Sequence, residues 1–138
     1  MLAACRRLAS TRSLHLAGAV QKSFTIHDND EFVQNVMNSS VPVIVNFHAE
    51  WCDPCHILTP KLKELIETRT DINLATVDVE KCAELVHTFE VKAVPAVIAI
   101  RNGLVIDKFI GLVDGDMIDS LINKLCPPKV QNESQSQT

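Results

Sequence analysis

The chain has 138 residues, enough for one domain with a single core, and no apolar run approaches the ~20 residues that cross a bilayer. Its net charge of −4 divides into +4 over residues 1–27 and −8 over residues 28–138; this acidic body, with one Trp and no Tyr, argues against nucleic-acid partners. Five cysteines, only two of them close in sequence, do not form the regularly spaced framework of a disulfide-stapled secreted domain.

The first segment reads as an address. Residues 1–23 contain Arg6, Arg7, Arg12 and Lys22, several Ser and Thr, and no acid, which is the composition of a mitochondrial transit peptide. Wound as a helix, Leu2, Cys5, Leu8 and Ala9 fall mostly on one side, and Arg6 and Arg7 are neighbours on the wheel. The run Leu14–Val20 is broken by His15 and Gly18, too short for the centre of a secretory signal. Cys5 is expected to leave with this segment.

Ser23–His27 alternates and predicts a short strand. Asp28 and Glu31 have the spacing of a capping box, and Phe32, Val33 and Val36 mark the buried face of a helix ending near Asn38. Val41–Ala49 is almost continuously apolar, as in a strand covered on both faces. A helix is predicted from Pro54 to Thr68, with Pro54 suited to its first turn and Pro60 expected to bend it. Ile72–Val79 predicts a second buried strand and Cys82–Phe89 a short helix. Val94–Ile100 and Leu104–Ile110 predict strands joined at Asn102-Gly103, a tight-turn signal that makes them an antiparallel hairpin. Asp114 or Asp116 should cap a last helix with the stripe Met117, Ile118, Leu121, Ile122 and Leu125. Cys126 and Pro127-Pro128 end it, and the polar residues 127–138 are expected to be a disordered tail. The order predicts an α/β fold: a mixed central sheet with a parallel core, an antiparallel C-terminal hairpin, and helices on both faces.

Chemistry concentrates in Trp51-Cys52-Asp53-Pro54-Cys55, where a strand gives way to a helix. At a helix start, unpaired amides and the positive end of the dipole lie beside the first sulfur and favour its thiolate. Cys52 is then the attacking sulfur, and Cys55, one turn later, closes a Cys52–Cys55 disulfide and frees the reduced substrate. The rival reading is metal. One Cys-x-x-Cys supplies two of the four ligands of a closed zinc site, and Cys82 has no partner pair, so no metal site is expected. An iron–sulfur site bridging two chains and an inert buried pair are weaker alternatives.

From Phe24 to Leu125 the chain resembles the thioredoxin family, its mitochondrial members in particular. The likeness is carried by Val45-Asn46-Phe47-His48-Ala49-Glu50 running into Trp51-Cys52-Asp53-Pro54-Cys55, by Ala93-Val94-Pro95, by Asn102-Gly103, and by Phe109-Ile110-Gly111. The resemblance implies the thioredoxin fold over residues 24–126, with Cys52 as nucleophile and Cys55 as resolving cysteine. It implies a substrate surface formed by Trp51, Asp53, Pro54, Val94, Pro95 and Gly111, with Pro95 after a cis bond facing the dithiol. It further implies a protein-disulfide reductase of the mitochondrial matrix, with no bound cofactor. Its reductant would be an NADPH-dependent flavoprotein, thioredoxin reductase, and its substrates disulfide-containing proteins, peroxiredoxins among them.

Three positions depart from that family's pattern. Asp53 stands where Gly is usual, and its charge should disfavour a neighbouring thiolate. Asn46 stands for a buried Asp and Thr76 for its Lys companion. Losing both members together leaves no unpaired buried charge. The proton acceptor for Cys55 is then water, Asp53 or His56, and Asp53 is the sequence-based expectation. Other histidines (His27, His48 and His87) read as packing or surface residues, and Cys82 and Cys126 as buried thiols with regulation as the alternative. An oxidase or isomerase that donates its disulfide, and a redox-sensitive binding module with little turnover, are the competing functions.

Overall fold

The apolar runs of the sequence become strands and helix faces in the computed structural model, which describes residues 22–128. The expected presequence up to Gln21, Cys5 within it, and the tail from Lys129 lie outside those residues. The elements are β1 (Ser23–Ile26), α1 (Asn29–Phe32) continued by a π-helical stretch (Val33–Met37), β2 (Val43–His48), α2 (Asp53–Glu67), β3 (Asn73–Asp78), α3 (Ala83–Thr88), β4 (Ala96–Arg101), β5 (Leu104–Ile110) and α4 (Gly115–Leu125).

One five-stranded sheet runs β1-β3-β2-β4-β5. β1, β3 and β2 are parallel, whereas β4 is antiparallel to β2 and β5 to β4. This is the mixed sheet expected from helices between the early strands and a tight turn between the last two. Asn102 and Gly103 both have positive φ, 52° and 72°, the backbone of a two-residue turn whose twist matches the flanking strands.

Strand alternation assigns the two faces. Val43, Val45 and Phe47 of β2, with Ala75 and Val77 of β3, pack against Phe32, Val36 and Leu85 on one side. Ile44, Leu74, Val97 and Ala99 pack on the other against Leu58, Leu62 and Ile66 of α2 and Ile118, Leu121, Ile122 and Leu125 of α4. Each large side chain fully buried in this way contributes about 1.5–3 kcal/mol. Double coverage explains why β2 reads as an almost continuous apolar run.

Two expected core residues lie outside it. Val33 is 42% exposed and Met117 39% exposed. Each flanks the helix line that meets the sheet, so the contacts go to Phe32 and Val36 in the first case and to Ile118 and Leu121 in the second. The first helix also widens after Phe32, where the Asn38 N–H donates to the Val33 carbonyl at 2.9 Å. Its capping is only half a box. Asp28 Oδ1 accepts the Glu31 N–H at 2.8 Å, but the Glu31 carboxylate accepts from the His27 N–H at 2.9 Å instead of reaching the cap residue. Of the two candidate caps for α4, Asp114 is the one used, accepting the Met117 N–H at 2.9 Å.

A candidate dithiol site at the start of α2

The parallel strands β2 and β3 end together, with His48 opposite Asp78. The chain leaving β2 turns at once into α2, so the connection carrying Trp51 and Cys52 sits at the carboxyl end of the sheet, where open α/β sheets place their sites. Cys52 is the N-cap of α2. Its Sγ accepts the Cys55 N–H at 3.3 Å, and its carbonyl accepts the same N–H at 3.1 Å. An amide aimed at that sulfur, at the positive end of a 15-residue helix, favours negative charge there once the dithiol is reduced. Pro54 occupies the first turn, where its missing N–H costs nothing. α2 also runs through Pro60 without ending.

Cys52 and Cys55 are joined as a disulfide with their Cα atoms 5.3 Å apart. With Ala49 they form a small buried cluster against which Val79 and Val94 pack. Val94, whose packing on that cluster sets the loop before β4 against the dithiol, precedes a cis peptide bond to the buried Pro95. The Gly111 N–H donates to the Pro95 carbonyl at 2.8 Å, fixing the end of β5 beside that loop. Gly111 has φ 95°, and a side chain there would meet nothing within 4 Å. Backbone conformation, not crowding, is what calls for glycine.

The structure thus brings Trp51, Cys52, Pro54, Cys55, Val94, Pro95 and Gly111 to one end of the sheet. Trp51 is 67% exposed and donates its Nε1–H to Glu80 Oε1 at 3.1 Å. Glu80 escaped sequence reasoning because it lies 29 residues away and arrives only through β2–β3 pairing. Asp53 is exposed in the first turn of α2, and among the described residues it forms no side-chain hydrogen bond or ion pair. His56 is also exposed, and its Nε2 donates to the Glu50 carbonyl at 2.8 Å. Neither is bonded to Cys55.

Behind the dithiol, Asn46 is fully buried and donates its Nδ2–H to Thr59 Oγ1 at 2.9 Å. Thr59, one turn after Cys55 on α2, is a second residue that sequence reading missed; its signal was the (i, i+4) spacing. Asn46 Oδ1 and the buried Thr76 hydroxyl have no hydrogen-bond partner among the described residues.

The other two described cysteines are held as thiols. Cys82 points its Sγ at the carbonyls of Ile26 and His27, and burial, reinforced by Asp78, Asp28 and Glu31, raises its pKa above the usual thiol range. Burial and the neighbouring Asp71 raise Cys126 likewise. Alkylation of the reduced native protein at neutral pH should therefore modify Cys52 at least ~10-fold faster than Cys82 or Cys126. Their rates should rise only as the pH climbs further or the chain unfolds. Mass mapping of the labelled sites checks this, and equal rates at the three cysteines would contradict it.

The family model described as thioredoxin matches residues 23–124. Mitochondrial thioredoxin of Rattus norvegicus is 39% identical over 115 residues, covering 83% of this chain and 69% of the relative. Probable thioredoxin-2 of Caenorhabditis elegans is 42% identical over 100 residues, 72% of this chain and 69% of the relative. Among solved structures, a mutant thioredoxin from Halobacterium salinarum NRC-1 superimposes with a TM-score of 0.69 at 27% identity, covering 78% of this chain and 96% of that one. A disulfide built on a strand-to-helix junction, in a sheet with this order and this sequence likeness, has one reading: the chain belongs to the thioredoxin family and is a protein-disulfide oxidoreductase.

Proposed function

We propose that this protein is an electron donor of the mitochondrial matrix that reduces protein disulfides through Cys52 and Cys55. The observation that carries the reading is the dithiol at the N-terminus of α2, packed against the Val94–Pro95 loop. The Cys52 thiolate attacks a substrate disulfide, and one substrate sulfur leaves with the electron pair. Cys55 then attacks Cys52, the Cys52–Cys55 bond forms, and the second substrate thiol is released. Trp51, Asp53, Pro54, Val94, Pro95 and Gly111 surround the sulfurs as the docking surface. Among turns and loops of the described residues, the Val94 backbone makes no hydrogen bond, which leaves it available to pair with an extended substrate segment.

Location rests on the basic, acid-free residues 1–23 read as a transit peptide and on likeness to mitochondrial thioredoxins. An NADPH-dependent thioredoxin reductase returns the dithiol to its reduced form. Disulfide-containing proteins, including peroxiredoxins, are the substrates, and the chain itself carries no bound cofactor. The test combines the equilibrium potential of the dithiol with turnover in an NADPH–reductase assay on a protein disulfide. A low potential with sustained turnover is expected. A high potential would make the protein a disulfide donor, and intact thiols without turnover would make it a redox-sensitive binding module.

A further inference from the structure

Helix α3 ends on a backbone conformation that its sequence does not favour. The Val91 N–H reaches back to the Val86 carbonyl at 2.9 Å, and the Glu90 N–H to the His87 carbonyl at 3.2 Å. This is the Schellman closure, which needs a left-handed residue just past the helix, most often glycine. Here that residue is Glu90, with φ 51°. A side chain disfavours the conformation, so the turn persists only where its surroundings hold it.

A residue from another element does so. Lys108 lies on β5, 18 residues beyond Glu90, and its Nζ donates to the Phe89 carbonyl at 2.8 Å and the Glu90 carbonyl at 3.2 Å. Among the described residues no backbone N–H outside the helices and strands takes either carbonyl, so the ammonium satisfies acceptors that the closure leaves over. Pairing with Ile98 on β4 turns Lys108 toward the face of the sheet that carries α3. Among the described residues its ammonium forms no ion pair with a carboxylate.

Glu90 leads directly into the loop that meets the dithiol. Val91 is buried, Lys92 and Ala93 are exposed, and Val94 packs on the cluster of Ala49, Cys52 and Cys55. Val91, Ala93 and Val94 line, with Trp51 and Val79, an apolar recess of about 190 Å³. The far end of the loop is tied by the Gly111 N–H, which donates to the Pro95 carbonyl at 2.8 Å. Lys108 and Gly111 stand three residues apart, so the end of β5 grips the loop at both of its ends.

We propose that Lys108 is a positioning residue for substrate docking: by clamping the carbonyls of Phe89 and Glu90, it presets the Val91–Pro95 loop that receives the substrate segment. This rests on the reading of the Val94–Pro95 loop as docking surface. Lys108 touches neither substrate nor sulfur. A loop already held in its bound shape loses less conformational freedom when a substrate segment docks, and that advantage enters binding, not sulfur exchange. Protein disulfides, whose flanking backbone lies along the loop, benefit from it. A small aromatic disulfide has no flanking chain and does not.

The test uses the prereduced full-length chain in single turnover against insulin, a protein disulfide, and dithiobis-nitrobenzoate, a small aromatic one. Lys108→Met keeps the length of the side chain and removes the ammonium. It should raise the half-saturating insulin concentration about tenfold, while the limiting rate and the rate with dithiobis-nitrobenzoate hold. Amide exchange should quicken at Glu90 and Val91 and stay unchanged in β2 and β3. Lys108→Arg, which still donates to carbonyls, should restore the parent half-saturation. In a Glu90→Gly background, where the turn no longer needs holding, Lys108→Met should be nearly silent.

An unchanged half-saturation in Lys108→Met would overturn the proposal, as would equal slowing with both disulfides. Loss of the folded state would overturn it too, because the clamp would then serve the whole fold and not the loop. A shift undiminished by Glu90→Gly would replace it with direct contact between Lys108 and substrate. A parent inert toward insulin would overturn the functional reading and the proposal together; a parent that reduces insulin, with no response to Lys108→Met, would overturn the proposal alone.

Discussion

Cys52→Ser should abolish disulfide reduction, while Cys55→Ser should leave the chain covalently attached to its substrate. The two sulfurs are not equivalent in this structure. Cys52 caps α2 and receives the Cys55 N–H, so its thiolate is the one the helix terminus favours. A serine hydroxyl at position 52 is almost wholly un-ionised at neutral pH and breaks no disulfide, so turnover should fall by about three orders of magnitude or more. Cys55 is 2% exposed and Cys52 4%, so burial does not separate them; the helix terminus does, and Cys55, one turn into α2 and bonded to Cys52 here, is the sulfur placed to attack it. Without Cys55, the mixed disulfide has no internal attacker and persists. Non-reducing electrophoresis with mass mapping of the adduct reads the trap. Captured partners on Cys55→Ser that are absent from Cys52→Ser are the expected result; equal capture by both variants would assign the nucleophile wrongly.

The second large effect concerns Asn46. Asn46→Asp places a carboxyl in a position with no exposure, one strand away from Thr76 and with no cation on the paired residue. Burial disfavours the ionised form, so the folded pKa of this new carboxyl rises above its unfolded value. The sign follows from linkage. An acid whose folded pKa is raised carries no penalty below the usual carboxylate range and an increasing one as pH rises toward the folded pKa. At neutral pH the loss should be about 3 kcal/mol or more, the scale of an uncompensated buried charge. Urea midpoints across pH check it: variant and parent should converge in acid and separate toward neutrality. A difference independent of pH would mean that packing, and not charge, set the cost. Adding Thr76→Lys should recover much of the loss, since β2–β3 pairing places that cation opposite the acid. The present Asn46 and Thr76 thus form a matched neutral pair.

Local pattern suffices for the reacting pair and stops short of what lies behind it. Cys52 and Cys55 were legible because a helix start and a two-residue spacer act within a few residues of each other, and helix-terminus electrostatics need no distant partner. The Asn102-Gly103 hairpin was legible because positive φ is a property of the turn residues themselves. The apolar run at Val43–Phe47, interrupted only by Asn46, declared a doubly covered strand for the same local reason. Val33 and Met117 were misplaced because periodicity marks an apolar stripe but not how wide a strip the sheet will cover.

By itself, then, the sequence determined the element order, the fold class and the reacting pair. Strand pairing decided the rest, since parallel strands meet only after long crossovers and their register is invisible in any one of them. That register brings Glu80 to the Trp51 indole across 29 residues. It also sets Thr25, Thr76 and Asn46 side by side, three polar residues from three separate strands that no single segment of the sequence could place together.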